Sequence, residues 1–398
     1  MCDSVYNQFF SEDVFSFFRS PVRDIFKRVD LNEICSFAGG YPPAEAFPME
    51  EIKEMTQIVI EKYGARCFQY GATQGVPELR SAISKRYGVD LERVQITTSS
   101  QQGIDVCTRV FVNPGDIILT SNPSYLGAFQ SFRSYRADIR GVQHVSDIDD
   151  YEKIWIHTIE EVLKEGKKIK FLYMIPDFQN PSGETLNLAE RKLLVTLAER
   201  YDFLILEDSP YRELRYEGIP VPTIYSLAPD RTLHLGSFSK IFAPGFRLGW
   251  ILANPELLDK IYVCKQSLDL CPPIMDQYIA AEFMISGKID SNIENNISLY
   301  RKKRDKMLGL LNEYMPQGVT WTHPEGGLFL YLTLPERINV MDLYDSALNA
   351  GVAYVAGNFF RTDGEGFNTM RLNFSFIKEE RMEEGIRILA DLLKEPAN

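Results

Sequence analysis

Six short apolar runs between about residues 90 and 280 limit the folds open to this chain. They are VQITTSS, DIILTSNP, KIKFLYMIP, FLILEDS, TLHLGSFS and LGWILA. Several are almost continuously apolar, which is typical of strands buried on both faces of a sheet. Amphipathic stretches such as residues 188–201 lie between them. This alternation of strand and helix patterns predicts an α/β domain with a mostly parallel sheet.

The chain changes character near residue 285. A long helical stretch, NISLYRKKRDKMLGLLNEYM, is followed by GGLFLYLTLP, a helix near MDLYDSALNA, the strand MRLNFSF and a last helix ending near Lys394. At the other end, SPVRDIFKRV predicts a helix with Ser20 as its N-cap. We therefore expect residues 1–45 to form an N-terminal helix and arm that joins a small α+β domain, 46–285 the large domain, and 286–398 the C-terminal small domain.

Charge and composition narrow the classes of function. The formal net charge is −12, and the basic residues form no long run, which argues against a nucleic-acid surface. No run approaches the roughly 18–20 apolar residues of a membrane span, and the N-terminus lacks a secretory pattern. The six cysteines include no C-x-x-C pair and the four histidines are scattered. We expect a cytoplasmic protein without a metal site or a membrane partner.

Lys240, in GSFSKIFAPGFRLGW, says most about the chemistry. An amine attacks an aldehyde only when it is unprotonated, and burial near other cations lowers the pKa of a lysine. The neighbouring hydroxyls of Ser237 and Ser239, with the guanidinium of Arg247, can bind the oxygens of a phosphate. The pattern predicts a Schiff-base lysine beside a phosphate site. Ser-x-Ser-Lys alone would equally describe an exposed loop lysine.

Further polar residues follow the other predicted strands, at the edge where ligands of open α/β sheets bind. Ser100 and Gln101 open a helix, whose first N–H groups suit a phosphate. Tyr125 offers a ring that can stack on a flat heterocycle, and Asn180 lies in a turn with Pro181. Each of them alone is also compatible with an ordinary cap, loop or turn.

Two charged residues in apolar strands add to this set. Asp208 ends FLILED, where a buried carboxylate needs a partner such as a protonated pyridine nitrogen, and Tyr211 follows three residues later. Arg371 in MRLNFSF suggests bidentate binding of a carboxylate, with a structural ion pair as the alternative.

These residues together resemble the class I/II family of aminotransferases that depend on pyridoxal 5′-phosphate (PLP), which have fold type I. The resemblance runs from about Ser20 to about Lys394 and is nearest to the 2-aminoadipate and kynurenine-type branch. The segments that carry it are ICSFAGG, QYGATQGVPELR, TTSSQQG, NPSYLGA, FQNPSG, LEDSPYRELRY, GSFSKIFAPGFRLGW and MRLNFS. It implies a large PLP-binding domain, with a mostly parallel mixed sheet flanked by helices, and a smaller α+β domain.

The resemblance also implies roles. Lys240 would form the aldimine with PLP and later move the proton, with Asp208 on the pyridine nitrogen and Tyr211 on the ring oxygen. The implied cofactor-binding residues are Ser100, Gln101, Tyr125, Asn180, Asp208, Tyr211, Ser237, Ser239, Lys240, Arg247 and, from the neighbouring subunit of a homodimer, Tyr70. The implied substrate-binding residues are Arg371, Asn180 and Gly40. Arg23, on the N-terminal helix, would pair with an acidic substrate side chain or be a solvated helix residue.

The expected reaction is transfer of an amino group from an L-amino acid to a 2-oxo acid such as 2-oxoglutarate. Another PLP reaction such as β-elimination is the alternative, because it shares the first proton step. A third possibility is a non-catalytic PLP-binding regulator, of the kind that carries a DNA-binding head, for which we expect no room ahead of residue 20. The departures Tyr41-Pro42-Pro43 and Cys271-Pro272-Pro273 are expected near the substrate pocket, where they bear on its specificity.

Overall fold

A computed structural model describes residues 5–16 and 34–394. Its α-helices are α1 (Met49–Tyr63), α2 (Pro77–Tyr87), α3 (Ser99–Phe111), α4 (Leu126–Ser134), α5 (Ile148–Lys164), α6 (Leu188–Arg200), α7 (Ile224–Leu227), α8 (Pro255–Gln266), α9 (Ile274–Ile285), α10 (Lys288–Tyr314), α11 (Tyr344–Asn349) and α12 (Glu379–Lys394). Its strands are β1 (Cys35–Ser36), β2 (Val94–Thr97), β3 (Ile117–Asn122), β4 (Asp138–Gln143), β5 (Ile169–Met174), β6 (Leu204–Asp208), β7 (Thr232–Ser237), β8 (Gly249–Leu252), β9 (Thr320–Trp321), β10 (Phe329–Thr333), β11 (Val352–Ala353), β12 (Val355–Ala356) and β13 (Thr369–Asn373). Short 3-10 helices cover Asn7–Phe9, Glu12–Ser16, Ala44–Ala46, Gly64–Phe68, Leu91–Arg93, Pro244–Phe246 and Gly357–Phe360.

The main sheet has seven strands in the order β2-β8-β7-β6-β5-β3-β4. The pairs β7–β6, β6–β5, β5–β3 and β3–β4 are parallel, and β8 runs antiparallel to both of its neighbours. The mixed, mostly parallel sheet that the sequence predicts is thereby confirmed. All six predicted apolar runs lie in it.

Both faces of this sheet are buried, which explains the nearly continuous apolar runs. In β3, Ile117 and Leu119 join one cluster with residues of α5 and α6, whereas Ile118 joins the larger cluster with residues of α3 and α4. Successive side chains of a strand point to opposite faces, so a strand covered on both sides needs apolar residues at every position. The carboxyl ends of the parallel strands are left as the edge where polar side chains collect.

A second, four-stranded antiparallel sheet has the order β12-β13-β10-β9. The strand β1 pairs in parallel with β11, which ties residues ahead of the large sheet to the C-terminal part of the chain. α10 packs on α12 beside these strands. The division at residues 45 and 285 stays a prediction.

Three features differ from the sequence-based expectations or fall outside the structure. β4 was not anticipated, because its sequence DIRGVQ is half polar, as suits a strand at the edge of the sheet. α10 begins at Lys288, ahead of the predicted stretch, and spans 27 residues. The helix expected from Ser20 lies outside the described residues. Within residues 5–16 and 34–394, no helix combines the length and apolar character needed to cross a bilayer.

Candidate active site

A cavity of about 650 Å³ opens at the carboxyl ends of the parallel strands. The large sheet contributes residues that follow β2, β3, β5, β6 and β7, and the four-stranded sheet contributes residues of β10 and β13. The lining residues are Gly40, Tyr41, Ser99, Ser100, Gln101, Asp105, Tyr125, Leu126, Gly127, Gln130, Ser131, Ser134, Ile175, Asn180, Asp208, Pro210, Tyr211, Ser237, Ser239, Lys240, Pro244, Arg247, Phe329 and Arg371. Twelve sequence-predicted site residues, Gly40 among them, thus line one cavity.

Lys240 lies just beyond the end of β7 and projects into this cavity. Its Nζ donates a hydrogen bond to the carbonyl oxygen of Gly40 over 2.6 Å. Burial lowers the pKa of Lys240 to about 8, and the positive charges of Arg371 and Arg247 act in the same direction. The amine is therefore closer to its nucleophilic, neutral form at neutral pH than an exposed lysine.

Asp208 is the last residue of β6 and is 2% exposed. Its Oδ2 accepts a hydrogen bond from the hydroxyl of Tyr173 over 2.8 Å, whereas its Oδ1 is buried without a partner among the described residues. Burial raises the pKa of Asp208 to about 7, against the Tyr173 hydrogen bond and the charge of His234, which lower it. An unpaired buried acceptor of this kind calls for a donor from a ligand.

Asn180 and Tyr211 lie next to each other on the same wall of the cavity. The Asn180 amide donates to the Tyr211 hydroxyl over 3.4 Å, and both residues are buried. The loop before Asn180 is fixed by Arg191, which is fully buried, forms an ion pair with Asp177 at 2.8 Å and donates to the carbonyl of Pro176. This buried pair holds the loop that carries Asn180 in one arrangement.

The first residues of α3 meet the turn at Arg247. Nη2 of Arg247 donates to Oγ of Ser99 over 2.7 Å, and Ser99 takes a left-handed φ of 66° at the helix start. The backbone of Ser100 and Gln101 continues this helix N-terminus, and the hydroxyls of Ser237 and Ser239 line the cavity with it. Free N–H groups, hydroxyls and a guanidinium together make an anion site.

The side chains of Gln101 and Tyr125 are engaged with each other. Tyr125 donates to Oε1 of Gln101 over 3.2 Å, while Nε2 of Gln101 donates to the carbonyl of Gly127 and to Ser131. A Cβ at Gly127 would lie 2.5 Å from the Tyr125 ring. The absence of a side chain at Gly127 therefore lets the ring occupy the cavity wall.

Arg371 in β13 is 3% exposed. Nη1 donates to Oδ1 of Asn180 over 2.9 Å and Nη2 to the carbonyl of Ala38 over 2.5 Å. Its guanidinium lies 4.3 Å from the ring centre of Phe329 and 5.1 Å from that of Phe360. Burial lowers the pKa of Arg371 to about 10, so the group remains a cation near neutral pH. The described residues give it no carboxylate partner among its hydrogen bonds, which favours a ligand carboxylate over the structural ion pair.

One predicted site residue lies away from the cavity of this chain, and another cannot be placed relative to it because it falls outside the described residues. Tyr70 is 79% exposed and does not line it. Arg23 lies outside the described residues. Of the two unusual segments, Tyr41 lines the cavity whereas Cys271 does not. Sequence reasoning missed Ser99, Tyr173 and Phe329, and only Ser99 had a usable signal, because it stands beside Ser100 in the same helix start.

The fold and the site define a PLP-dependent aminotransferase of fold type I. The model of the family described as aminotransferase class I and II matches residues 37–389, and the chain belongs to this family. It transfers amino groups between amino acids and 2-oxo acids, and its cofactor is PLP.

Three relatives illustrate the match. The chain is 44% identical to aromatic-amino-acid aminotransferase 1 of Thermococcus litoralis, over 98% of this chain and 95% of the relative. It is 40% identical, with a TM-score of 0.93, to the crystal structure of Pyrococcus horikoshii kynurenine aminotransferase in complex with PMP, KYN as substrates and KYA as products. It is 34% identical, with a TM-score of 0.90, to α-aminoadipate aminotransferase from Thermus thermophilus complexed with N-(5′-phosphopyridoxyl)-L-leucine. Each structural match covers 98% of both chains.

Proposed function

We propose that this enzyme moves the amino group of an aromatic L-amino acid to 2-oxoglutarate, with Lys240 as the covalent anchor of PLP and the carrier of the proton. The observation that carries this proposal is the position of Lys240. Its amine, with a pKa lowered to about 8, shares one cavity with Asp208 and Arg371. Among the described residues, Oδ1 of Asp208 has no hydrogen-bond partner and Arg371 has no carboxylate partner. The aromatic relative at 44% identity supports the choice of donor.

The residues of the cavity fit PLP. Oδ1 of Asp208, which has no partner in the described part of the chain, suits the protonated ring nitrogen. The start of α3 with Ser237, Ser239 and Arg247 suits the phosphate. Tyr125 suits the face of the ring, and Asn180 and Tyr211 suit its oxygen. When bound, PLP supplies an aldehyde for the amine and a cationic ring that withdraws electrons from the substrate.

The chain's own residues then bind the substrate and move the proton. Arg371 holds the α-carboxylate, with Asn180 and the backbone at Gly40 beside it. A carboxylate held in a fixed place leaves the Cα–H bond as the one presented to Lys240. The Nζ of Lys240 takes this proton and donates it again in a later step of the reaction. A pKa of Lys240 near neutrality suits both proton transfers. The same arrangement serves the 2-oxo acid in the reverse direction.

The cavity-lining residues that the structure describes favour an aromatic or apolar side chain on the amino-group donor. Tyr41, Leu126, Ile175 and Phe329 line the cavity. The cations among the described lining residues are Lys240, Arg247 and Arg371, each of which has a role above. For acidic substrates, which include the 2-oxoglutarate acceptor, we assign the side-chain carboxylate to Arg23, as the resemblance implies.

The functional unit in this proposal is a homodimer in which Tyr70 reaches the phosphate of the other subunit. Large apolar side chains exposed on and after α1 support an interface in this part of the chain; they are Met49, Ile60 and Phe68. Light scattering should show a dimer at assay concentrations. An active monomer would contradict the proposed homodimer.

We place the enzyme in the cytoplasm. Five cysteines among the described residues are free thiols, and Cys35, Cys67 and Cys107 are buried. A reducing compartment keeps such thiols intact.

A donor screen tests the proposal. The PLP-loaded enzyme is mixed with 2-oxoglutarate and one of phenylalanine, tyrosine, leucine or 2-aminoadipate, and the glutamate formed is measured. Glutamate should form fastest with the aromatic donors. Turnover restricted to 2-aminoadipate would contradict the proposed donor. A parallel reaction replaces 2-oxoglutarate by pyruvate and measures the alanine formed; turnover with pyruvate but not with 2-oxoglutarate would contradict the proposed acceptor.

A further inference from the structure

Tyr173 is a fully buried residue of β5 that contacts the site residue Asp208. It lies opposite Leu206 in the parallel register of β5 and β6, so its side chain points to the same face as Asp208. Its hydroxyl donates to Oδ2 of Asp208 over 2.8 Å. Tyr173 does not line the cavity itself.

The ring of Tyr173 has a fixed position. It packs edge-on against Phe132 of α4, with ring centres 5.3 Å apart and an interplanar angle of 75°. A tyrosine locked by its ring can place its hydroxyl at only one point, and here that point is the Asp208 carboxylate. The carboxylate is thereby held at one oxygen, while its second oxygen, Oδ1, remains buried and unpaired among the described residues.

Burial and the neighbouring groups act on the ionisation of Asp208 in opposite directions. Burial raises the pKa of Asp208 to about 7, and the Tyr173 hydrogen bond is the strongest influence in the opposite direction, followed by His234 of β7. His234 itself contacts Glu207 at 3.0 Å. Burial keeps the pKa of Tyr173 well above its usual range, so its hydroxyl stays a donor at neutral pH.

We propose that Tyr173 is a positioning residue, which occupies Oδ2 of Asp208 so that Oδ1 is presented to the ring nitrogen of PLP. This inference rests on the proposed role of Asp208. A carboxylate free to rotate would share its charge between two positions, and preorganised groups bind more tightly because no reorganisation is needed on binding. Tyr173 then contributes to cofactor affinity and to turnover without touching cofactor or substrate.

The test replaces Tyr173 by Phe, which removes the hydroxyl and keeps the ring that packs on Phe132. The dissociation constant of PLP is measured on the apoenzyme, and kcat and KM on the loaded enzyme. We expect PLP to bind roughly 10- to 100-fold more weakly, the range for loss of a hydrogen bond to a charged group. We expect kcat to fall while the KM of the amino acid changes less than about threefold, because Arg371 is untouched.

Tyr354→Phe is the matched control, since Tyr354 is also buried and its hydroxyl donates to the carbonyl of Val340, away from the cavity lining. It should lose a similar amount of thermal stability and leave PLP affinity unchanged. If Tyr173→Phe and Tyr354→Phe bind PLP as the wild type does, Tyr173 has no positioning role.

A double-mutant cycle with Asp208→Asn separates this inference from the function on which it rests. Tyr173→Phe should cost less than about threefold in PLP affinity once Asp208 is Asn, because the group it positions has lost its charge. An equal loss in both backgrounds would show that Tyr173 acts without Asp208 and would overturn the inference. If Asp208→Asn alone left PLP affinity unchanged, the proposed role of Asp208 would fail, and the inference with it.

Discussion

Arg371 and Asn180 join the two sheets of the enzyme through one hydrogen bond of 2.9 Å between Nη1 and Oδ1. Arg371 comes from β13 of the four-stranded sheet, and Asn180 follows β5 of the large sheet. Because the Asn180 amide also contacts the Tyr211 hydroxyl, the proposed carboxylate-binding group is connected to the proposed ring-binding group. The spacing between substrate carboxylate and cofactor is therefore set by both sheets together.

Replacement of Arg371 by Lys should raise the KM of both substrates roughly 10- to 100-fold, as loss of charge-assisted hydrogen bonds does. Lysine keeps the charge but lacks the planar fork that binds Asn180, Ala38 and a carboxylate at once. Steady-state kinetics with the amino acid and the 2-oxo acid varied in turn measures this. Arg387→Lys, at an exposed ion pair with Glu383, is the control. An unchanged KM for both substrates would remove Arg371 from the substrate site.

Ser99→Ala should weaken PLP binding about fivefold to tenfold, a typical effect for one polar contact near an anion. The substitution removes the hydroxyl that accepts from Arg247 and thereby loosens the guanidinium of the anion site. Pyridoxal without its phosphate should bind the variant and the wild type equally. An equal loss for both compounds would mean that Ser99 supports the whole cavity instead of its phosphate end.

The stability of the apoenzyme should depend on pH through Asp208. Because the pKa of Asp208 is raised from 3.8 to about 7 on folding, the folded state binds more protons between these values. The contribution of Asp208 to the free energy of unfolding is present below about pH 4 and is lost as pH rises towards 7.

Asp208→Asn should therefore raise the free energy of unfolding of the apoenzyme by about 2 to 4 kcal/mol at pH 7.5 and by much less at pH 4.5. Urea unfolding at the two values measures the difference. Asp259→Asn, at an exposed pair with Lys260, should show no such pH dependence. Equal effects of Asp208→Asn at both pH values would contradict the raised pKa.

Arg23→Ala should raise the KM of glutamate or 2-aminoadipate by the equivalent of roughly 1.5 to 3 kcal/mol, as for a hydrogen bond to a charged group. Aromatic donors and leucine should be little affected, since their side chains carry no charge. Equal losses for acidic and apolar donors would show that Arg23 does not bind the side-chain carboxylate of the substrate.

The large sheet could be predicted because its strands are marked by apolar runs that both faces require. The polar residues at the strand ends, such as Asp208 and Asn180, could be placed in one region for the same reason. Parallel strands put their carboxyl ends at one edge, so residues far apart in sequence meet there. The edge strand β4 lacked an apolar run and was missed.

The partners of the site residues could not be predicted, because a contact between strands leaves no local pattern. Tyr173 stands in the apolar run FLYMIP and has the pattern of an ordinary core residue. Its hydroxyl matters only because the register of β5 and β6 brings it to Asp208. Phe329 likewise has no sequence pattern that marks it as a site residue, because its contact with Arg371 depends on the pairing of β10 with β13.

The covalent anchor is the central claim, and reduction of the PLP-loaded enzyme with borohydride tests it most directly. Reduction fixes the cofactor to the amine that holds it, and digestion with mass spectrometry identifies the labelled peptide. We predict one phosphopyridoxyl group per chain, on Lys240, and neither label nor transamination in Lys240→Ala. Lys260→Ala, at the exposed pair with Asp259, should be labelled and active as the wild type is. A label on another lysine, or transamination by Lys240→Ala at near the wild-type rate, would contradict the account.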